Sequence, residues 1–215
     1  MASHDQFEAP DYYLLDELLT SEHLLIRKTI RSFVKKEISP IIEEACQSCI
    51  FPKQILPKLG DLGCFGPFIP NKYGGAELDQ ISYGLIMQEL ERGDSGIRST
   101  ASVQSSLVMY PIFAYGTDPQ REKYLSRLAT GEIMGCFGLT EPNHGSNPGG
   151  MESRFKDAGD YYILNGSKLW ISNSPFADIA IVWAKNENNR IQGLIVETDS
   201  QGVSTPETHN KWSLK

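Results

Sequence analysis

No stretch of this chain is apolar for about 18 residues, so a transmembrane helix is excluded on length alone. Clustered basic residues are also missing. Twenty Lys and Arg stand against 27 Asp and Glu, a formal net charge of -7. That balance argues against nucleic acid or an anionic membrane as partner, since both select grouped cations. No G-x-G-x-x-G follows a strand, and no Walker, H-E-x-x-H or G-x-S-x-G motif occurs, which leaves dinucleotide, nucleotide, zinc-protease and serine-hydrolase sites unsupported. Cysteine is scarce: Cys46, Cys49, Cys64 and Cys136 suit reduced thiols in a reducing compartment. The Cys46-x-x-Cys49 spacing has no second C-x-x-C or H-x-x-x-H to complete a metal set and no βαβ context. It reads as two thiols near a helix end. The N-terminus, MASHDQFEAPDYY, lacks a signal-peptide apolar core and an Arg-rich presequence, and a cytoplasmic location is expected.

At 215 residues the chain is long enough to bury a core in one or two domains. Its first ~130 residues carry helical periodicity. Ser21 is a candidate cap for a helix with Ile26, Ile30, Phe33 and Val34 on one face, ending before Pro40. Pro52 opens a second helical stretch through Leu56 and Leu59, closed by Gly63, and PNKYGG (70–75) is a turn cluster. A third helix runs from about Leu78 with Ile81, Leu85, Ile86 and Leu90 on one face, and a fourth from Gly96 to Tyr115. Asp118-Pro119 reads as an N-cap and N1 pair, with Gly131 as the stop. Beyond Gly131 the period changes to that of strands: Ile133 to Leu139, then Tyr161 to Leu164 and Lys168 to Ile171 flanking Asn165-Gly166, a type I′ hairpin signal. Ile179 to Ala184 and Ile191 to Glu197 follow, joined by an Asn-rich turn. The expected organisation is α+β, with helices over residues 1–131 and an antiparallel β domain over 132–215.

Two segments of the β part stand out. GCFGLTEPNHGSNPGG (135–150) is an apolar run opening into a Gly/Ser/Pro loop, and NGSKLWISNS (165–174) is the expected hairpin with a tryptophan at its exit. Together they resemble the flavin-binding middle domain of the acyl-CoA dehydrogenases, where a loop L-T-E-P-x-x-G-S-D is followed by a hairpin ending in W-I-T. Upstream, ERGDSGIRSTASVQSSLVMYP (91–111) resembles the glutaryl-CoA dehydrogenase branch. The resemblance covers about Tyr12 to Lys215.

The resemblance implies FAD as cofactor and α,β-dehydrogenation of an acyl-CoA thioester, with glutaryl-CoA oxidised and decarboxylated to crotonyl-CoA. Phe137, Gly138, Leu139 and Thr140 match the strand whose backbone and hydroxyl bond the flavin's pyrimidine edge; the alternative is a buried threonine at a strand end. Gly145 and Ser146 match contacts to FAD and to bound CoA, against the alternative of an ordinary polar turn. Trp170, Ile171 and Ser172 match W-I-T, with Ser in place of Thr keeping the hydroxyl and losing a methyl. A lone tryptophan leaving a hairpin is otherwise a core residue.

Arg98 matches the arginine that receives the distal carboxylate of glutaryl-CoA, a task suited to a bidentate guanidinium. Ser99 matches a second substrate contact and Glu91 the acid that orients the arginine; the alternative for Arg98 is a surface arginine near a helix start. Two positions depart from the family pattern: Asn147 replaces Asp, and His144, expected to face solvent, replaces a small residue.

The family has a third, C-terminal four-helix domain that carries the catalytic glutamate base. The chain is expected to stop short of it, inside an incomplete middle domain, and no residue here is assigned as base. By itself the chain is expected to be inactive, at most a weak flavin or CoA binder with unpaired sheet edges that favour self-association. In the intact protein the resemblance implies an electron-transfer flavoprotein as acceptor and a homotetramer. An acyl-CoA oxidase on the same scaffold is the alternative activity.

Overall fold

The computed structural model describes residues 11–209 and residue 211; most of the N-terminal stretch MASHDQFEAPDYY and all but two residues of the final HNKWSLK lie outside them. Helix α1 (Ser21–Phe33) is capped by Thr20, one residue before the expected Ser21. The Thr20 hydroxyl accepts from His23 N at 3.2 Å and Thr20 N donates to His23 Nδ1 at 3.3 Å, so two of the helix's orphan N-terminal amides are satisfied reciprocally. The helix runs on through a π turn, Val34–Ile38. A short helix α2 (Ile42–Ser48), absent from the sequence reading, ends at Cys49 with φ 58°. Cys46 and Cys49 are exposed free thiols at that end.

Helix α3 (Leu56–Asp61) follows a 3-10 turn opened by Pro52. Helix α4 (Gln80–Gly93) is capped by Asp79 and packs along α1. Their contact includes a bidentate pair in which Arg31 donates to Glu89 at 2.9 and 2.7 Å, the Glu89 side chain being only 1% exposed. Of the expected apolar face on α4, Leu85, Ile86 and Leu90 are buried, whereas Ile81 is exposed. Ile81 lies in the first turn of the helix.

Helix α5 (Ser95–Ser102), a π segment (Val103–Met109) and helix α6 (Tyr110–Tyr115) form the continuous rod expected as the fourth helix. Helix α7 (Asp118–Ala129) is capped by Thr117 rather than Asp118: Thr117 N donates to Gln120 Oε1 at 2.8 Å and the threonine hydroxyl accepts from Gln120 N. Pro119 therefore stands at the second helical position, and a full capping box wins over the Asp-Pro signal.

Five strands follow, β1 (Gly135–Gly138), β2 (Arg154–Asp157), β3 (Tyr162–Asn165), β4 (Ile179–Lys185) and β5 (Ile191–Glu197). β4 is central. β5 pairs antiparallel along all of it, while β1 runs parallel on its other side from Gly135↔Ile179 to Gly138↔Val182. β2 meets β4 in parallel at Arg154↔Lys185 and carries β3 antiparallel outside it. The expected order of helices followed by strands holds, but the sheet is mixed rather than purely antiparallel, because long irregular connections return β2 and β4 in the direction of their neighbours.

The hairpin expected at Asn165-Gly166 is not formed. Asn165 stays extended and pairs with Arg154, and Gly166, at φ 151°, passes so close to Ser153 that a Cβ there would lie 2.2 Å from Ser153 Oγ. The chain therefore leaves the sheet, and 168–171 is not a strand. The turn is instead upstream, where Gly159 N donates to Asp157 Oδ1 at 2.8 Å and Ala158 N to Tyr161 O at 2.9 Å, joining β2 to β3.

Helices and sheet share one apolar cluster: Leu59, Leu90, Ile97 and Leu125 pack with Ile133, Ile179 and Ile181. Gln104, fully buried in the π segment, crosses this junction. Its Nε2 donates to Leu128 O at 2.9 Å and Ile133 O at 3.0 Å, and its Oε1 accepts from Gly135 N at 2.8 Å. Leu128 O also accepts from Gly131 N at 3.2 Å, so Gln104→Leu leaves two buried backbone groups, Ile133 O and Gly135 N, unsatisfied and is expected to lower the unfolding free energy by about 2 kcal/mol in urea denaturation. A loss under about 1 kcal/mol would mean that water or relaxation substitutes for the amide.

Candidate active site

The end of β1 and the segment after β3 come together. Leu169 N donates to Thr140 O at 2.9 Å, so the Trp170 segment lies against the LTEP segment without being part of the sheet. Ile171 packs on Cys136 of β1 and Ala177. Asn173, buried and at φ 69°, donates from Nδ2 to Gly135 O at 3.1 Å and anchors the far end of the same segment.

Between these anchors Trp170 adopts φ 57° with its residue 75% exposed, and Ser172 is exposed beside it. A left-handed backbone conformation at a non-glycine residue costs on the order of 1 kcal/mol. Here it holds an indole out toward solvent. Of the four β1-end residues, Gly138 pairs with Val182, while Phe137 turns its ring to Trp183 at 6.1 Å and Leu139 offers its carbonyl. Phe137 therefore has only its backbone to give on the Trp170 side.

The loop after Thr140 is organised by Glu141, which is only 4% exposed. Its carboxylate accepts from Glu152 N at 2.5 Å, Ser153 N at 3.0 Å and Lys168 Nζ at 2.8 Å. Lys168 Nζ also reaches Leu139 O at 3.2 Å. Burial works to raise the carboxyl's pKa, but Lys168 and the two amides outweigh it and hold the group at about 2. Glu141 and His144 are also joined through their backbones at 3.1 and 3.3 Å.

His144 was expected to face solvent; instead its side chain is 22% exposed, lies against Gly150 and reaches Glu152 at 3.4 Å. Gly145 and Ser146 stand exposed at the loop tip, with open space around Gly145. Asn147, in place of the family's Asp, closes the loop through its carbonyl, which accepts from Gly150 N at 3.0 Å.

A second group lies where α4 meets the start of the helical rod. Arg98 Nε donates to Glu91 Oε2 at 2.5 Å, and Ser95 Oγ donates to the other carboxylate oxygen at 2.5 Å. The serine and then the arginine pull the Glu91 carboxyl below its ordinary pKa. Arg98 Nη1 stands 3.5 Å from Ser102 Oγ, and the arginine side chain is one-third exposed. Ser99 is half-buried, its carbonyl accepting from Ser102 Oγ at 3.0 Å. Among the described residues no hydrogen bond or ion pair joins this group to the Thr140–Trp170 group.

With the geometry in place, comparison with known proteins gives a consistent result. Models of the acyl-CoA dehydrogenase N-terminal and middle domains match residues 20–132 and 136–215. The chain belongs to the acyl-CoA dehydrogenase family. It is 39% identical over 204 residues to a probable acyl-CoA dehydrogenase of Bacillus subtilis, covering 92% of this chain and 53% of the relative. It is also 39% identical over 201 residues to CarC, a subunit of the caffeyl-CoA reductase-Etf complex of Acetobacterium woodii, covering 91% of this chain and 53% of that subunit.

Among solved structures, a glutaryl-CoA dehydrogenase from Mycobacterium smegmatis in complex with FADH2 superposes with a TM-score of 0.90 at 44% identity, over 93% of this chain and 51% of that one. The chain thus spans about half the length of the relatives it matches. Among the described residues, no helix is long and apolar enough to cross a membrane.

Sequence reading missed Lys168, Asn173 and Gln104 and gave Glu141 no role of its own. The available signal was a lone charge in each of two otherwise apolar or small-residue segments, Glu141 after CFGLT and Lys168 before LWI. A folded pKa for Glu141 near 2 lies below its ordinary 4.5, so its stabilisation is complete above about pH 4.5 and drains away as pH falls toward 2. That contribution is of order 3 kcal/mol near neutral pH. Acid denaturation followed between about pH 5 and 2 should be flatter in Glu141→Gln than in the parent. Equal slopes would mean that ionisation of Glu141 contributes nothing to folding.

Proposed function

We propose that this chain supplies the flavin-binding and substrate-carboxylate-binding half of an FAD-dependent acyl-CoA dehydrogenase acting on glutaryl-CoA. Bound FAD would supply the two-electron acceptor for the β-hydrogen. The residues present fit such a group. Thr140 and Ser172 offer hydroxyls on either side of one backbone contact, and Trp170 offers a flat apolar face already held out of the fold. An exposed indole in a strained backbone conformation gains from a planar ring laid against it. The backbones of Phe137, Gly138 and Leu139, with the open loop tip at Gly145 and Ser146, complete the proposed cofactor contacts, Ser146 also serving CoA.

The observation that carries the substrate reading is Arg98. Glu91 grips the guanidinium at Nε, which fixes its plane and leaves Nη2 without a partner among the described residues. A carboxylate arriving at that edge meets a donor fork whose orientation is already fixed, so little rotamer entropy remains to be lost. The net charge of the Glu91–Arg98 pair is near zero, so selection rests on geometry rather than on a long-range field. Ser99 adds a neighbouring contact.

A reductive direction on an unsaturated acyl-CoA is the second reading, favoured by the identity to the caffeyl-CoA reductase subunit. That relative's Etf complex also supports an electron-transfer flavoprotein as partner here. Peroxide formation in air by the flavoprotein would instead point to an oxidase.

With the protein produced from its own gene, Arg98→Ala should lower kcat/KM for glutaryl-CoA about 100-fold while butyryl-CoA changes by less than about threefold. Equal losses on both substrates would remove the carboxylate role from Arg98.

A further inference from the structure

We infer, on the flavin reading above, that Lys168 is a positioning residue for the flavin ring: its buried contact with Glu141 and Leu139 sets the gap between the Thr140 and Trp170–Ser172 segments. These two segments must hold opposite parts of one rigid planar group. No strand ladder joins them, because 168–171 lies outside the sheet. Their spacing rests on Leu169 N to Thr140 O at 2.9 Å, on Lys168 Nζ to Leu139 O at 3.2 Å and Glu141 Oε1 at 2.8 Å, and on Asn173 to Gly135 O at the far end.

The lysine is the one side chain in this set that touches both the strand end and the loop carboxylate. Its side chain is 11% exposed and that of Glu141 3%, so water competes little for either partner. Measured against an apolar pair of similar size, rather than against a protonated carboxyl, so buried an ion pair adds little to stability. Direction is what it adds.

Glu141 is itself fixed by Glu152 N and Ser153 N, which immediately precede β2 on the other side of the loop. One ammonium thereby locks three pieces of chain: the end of β1, the entry to β2 and the segment carrying Trp170 two residues on. Without it only the backbone bond at Leu169 holds the near end of 168–172 to Thr140, while Ile171 and Asn173 hold the far end. The two hydroxyls would then no longer fit the same ring.

The test uses the protein produced from its own gene, with Lys168→Met, Lys168→Gln and Lys168→Arg. Three quantities are read: the FAD dissociation constant by flavin fluorescence, the fine structure of the bound flavin's visible band, and the melting temperature of the FAD-free protein. Lys168→Met should bind FAD about tenfold more weakly, the loss of one charged hydrogen bond, and blur the visible band. Lys168→Arg should recover affinity to within about threefold.

If Lys168→Met does not fold, Lys168→Gln carries the test, because it keeps a donor for Glu141 and Leu139 without the charge and should fall between the other two. FAD affinity that is unchanged in all three, or that falls only in step with FAD-free melting and is not restored by arginine, overturns the positioning role while leaving the flavin reading intact. A parent protein that binds no FAD overturns both.

Discussion

One side-chain amide, that of Gln104, determines where the sheet sits on the helices. The chain leaves α7 and enters β1 within a few residues, and this turn exposes carbonyls at Leu128 and Ile133 and an amide at Gly135 inside a region closed to water. Leu128 O has a second donor in Gly131 N, but Ile133 O and Gly135 N, orphaned there, would each cost more than a typical net hydrogen bond returns. Gln104 bonds all three from a helix neighbouring none of them in sequence. Gly135 lets the approach happen: a Cβ on it would lie 2.4 Å from Val108 Cγ1, one helical turn beyond Gln104. The apolar cluster shared by helices and sheet then packs around a contact whose geometry is already defined.

Three glutamate–cation pairs show how burial divides the work in an acidic chain. Arg31 and Glu89 clasp α1 to α4 with the carboxylate 1% exposed and both guanidinium contacts in place, a tie between helices. Lys168 and Glu141 are buried together at the mouth of the LTEP loop and hold backbone in place as much as each other. Arg98 and Glu91 are exposed by 33% and 46%. Solvent screening makes an exposed pair worth little to stability. The Arg98 pair is therefore the one of the three whose value is better sought in a ligand than in the fold.

The helical half was legible because its signals are local. The run Ile26, Ile30, Phe33, Val34 and the long rod ending at Tyr115 stand where periodicity put them, and the departures there are the short helix α2, an exposed Ile81 in the first turn of α4, and one-residue shifts at caps where Thr20 and Thr117 form reciprocal boxes. The sheet was less legible because its pairing is not local. Asn165-Gly166 carries a strong hairpin signal, yet Ser153 occupies the space at Gly166 and an Asp157–Gly159 turn upstream had already given β3 its partner. Parallel pairing of β1 with β4 across 40 residues leaves no short-range trace. At the site, the Glu91–Arg98 pairing was expected from the family resemblance and forms across the break between α4 and α5, but the Glu141–Lys168 contact spans 27 residues of loop and strand and was not expected.

The Gln104 contact also links the two halves of the proposed site. Arg98 and Gln104 belong to one continuous helical rod, six residues apart, or about 9 Å of axial rise. Gln104 is bonded to Gly135, and Gly135 begins the strand that ends beside Thr140. The path from the proposed carboxylate grip to the proposed flavin edge therefore runs through a helix, a buried amide and a paired strand, leaving only Leu139 between the strand and Thr140. On the proposed reading, an acyl chain held between those two points would meet a separation set by rigid elements, and chain-length selection would follow from that spacing.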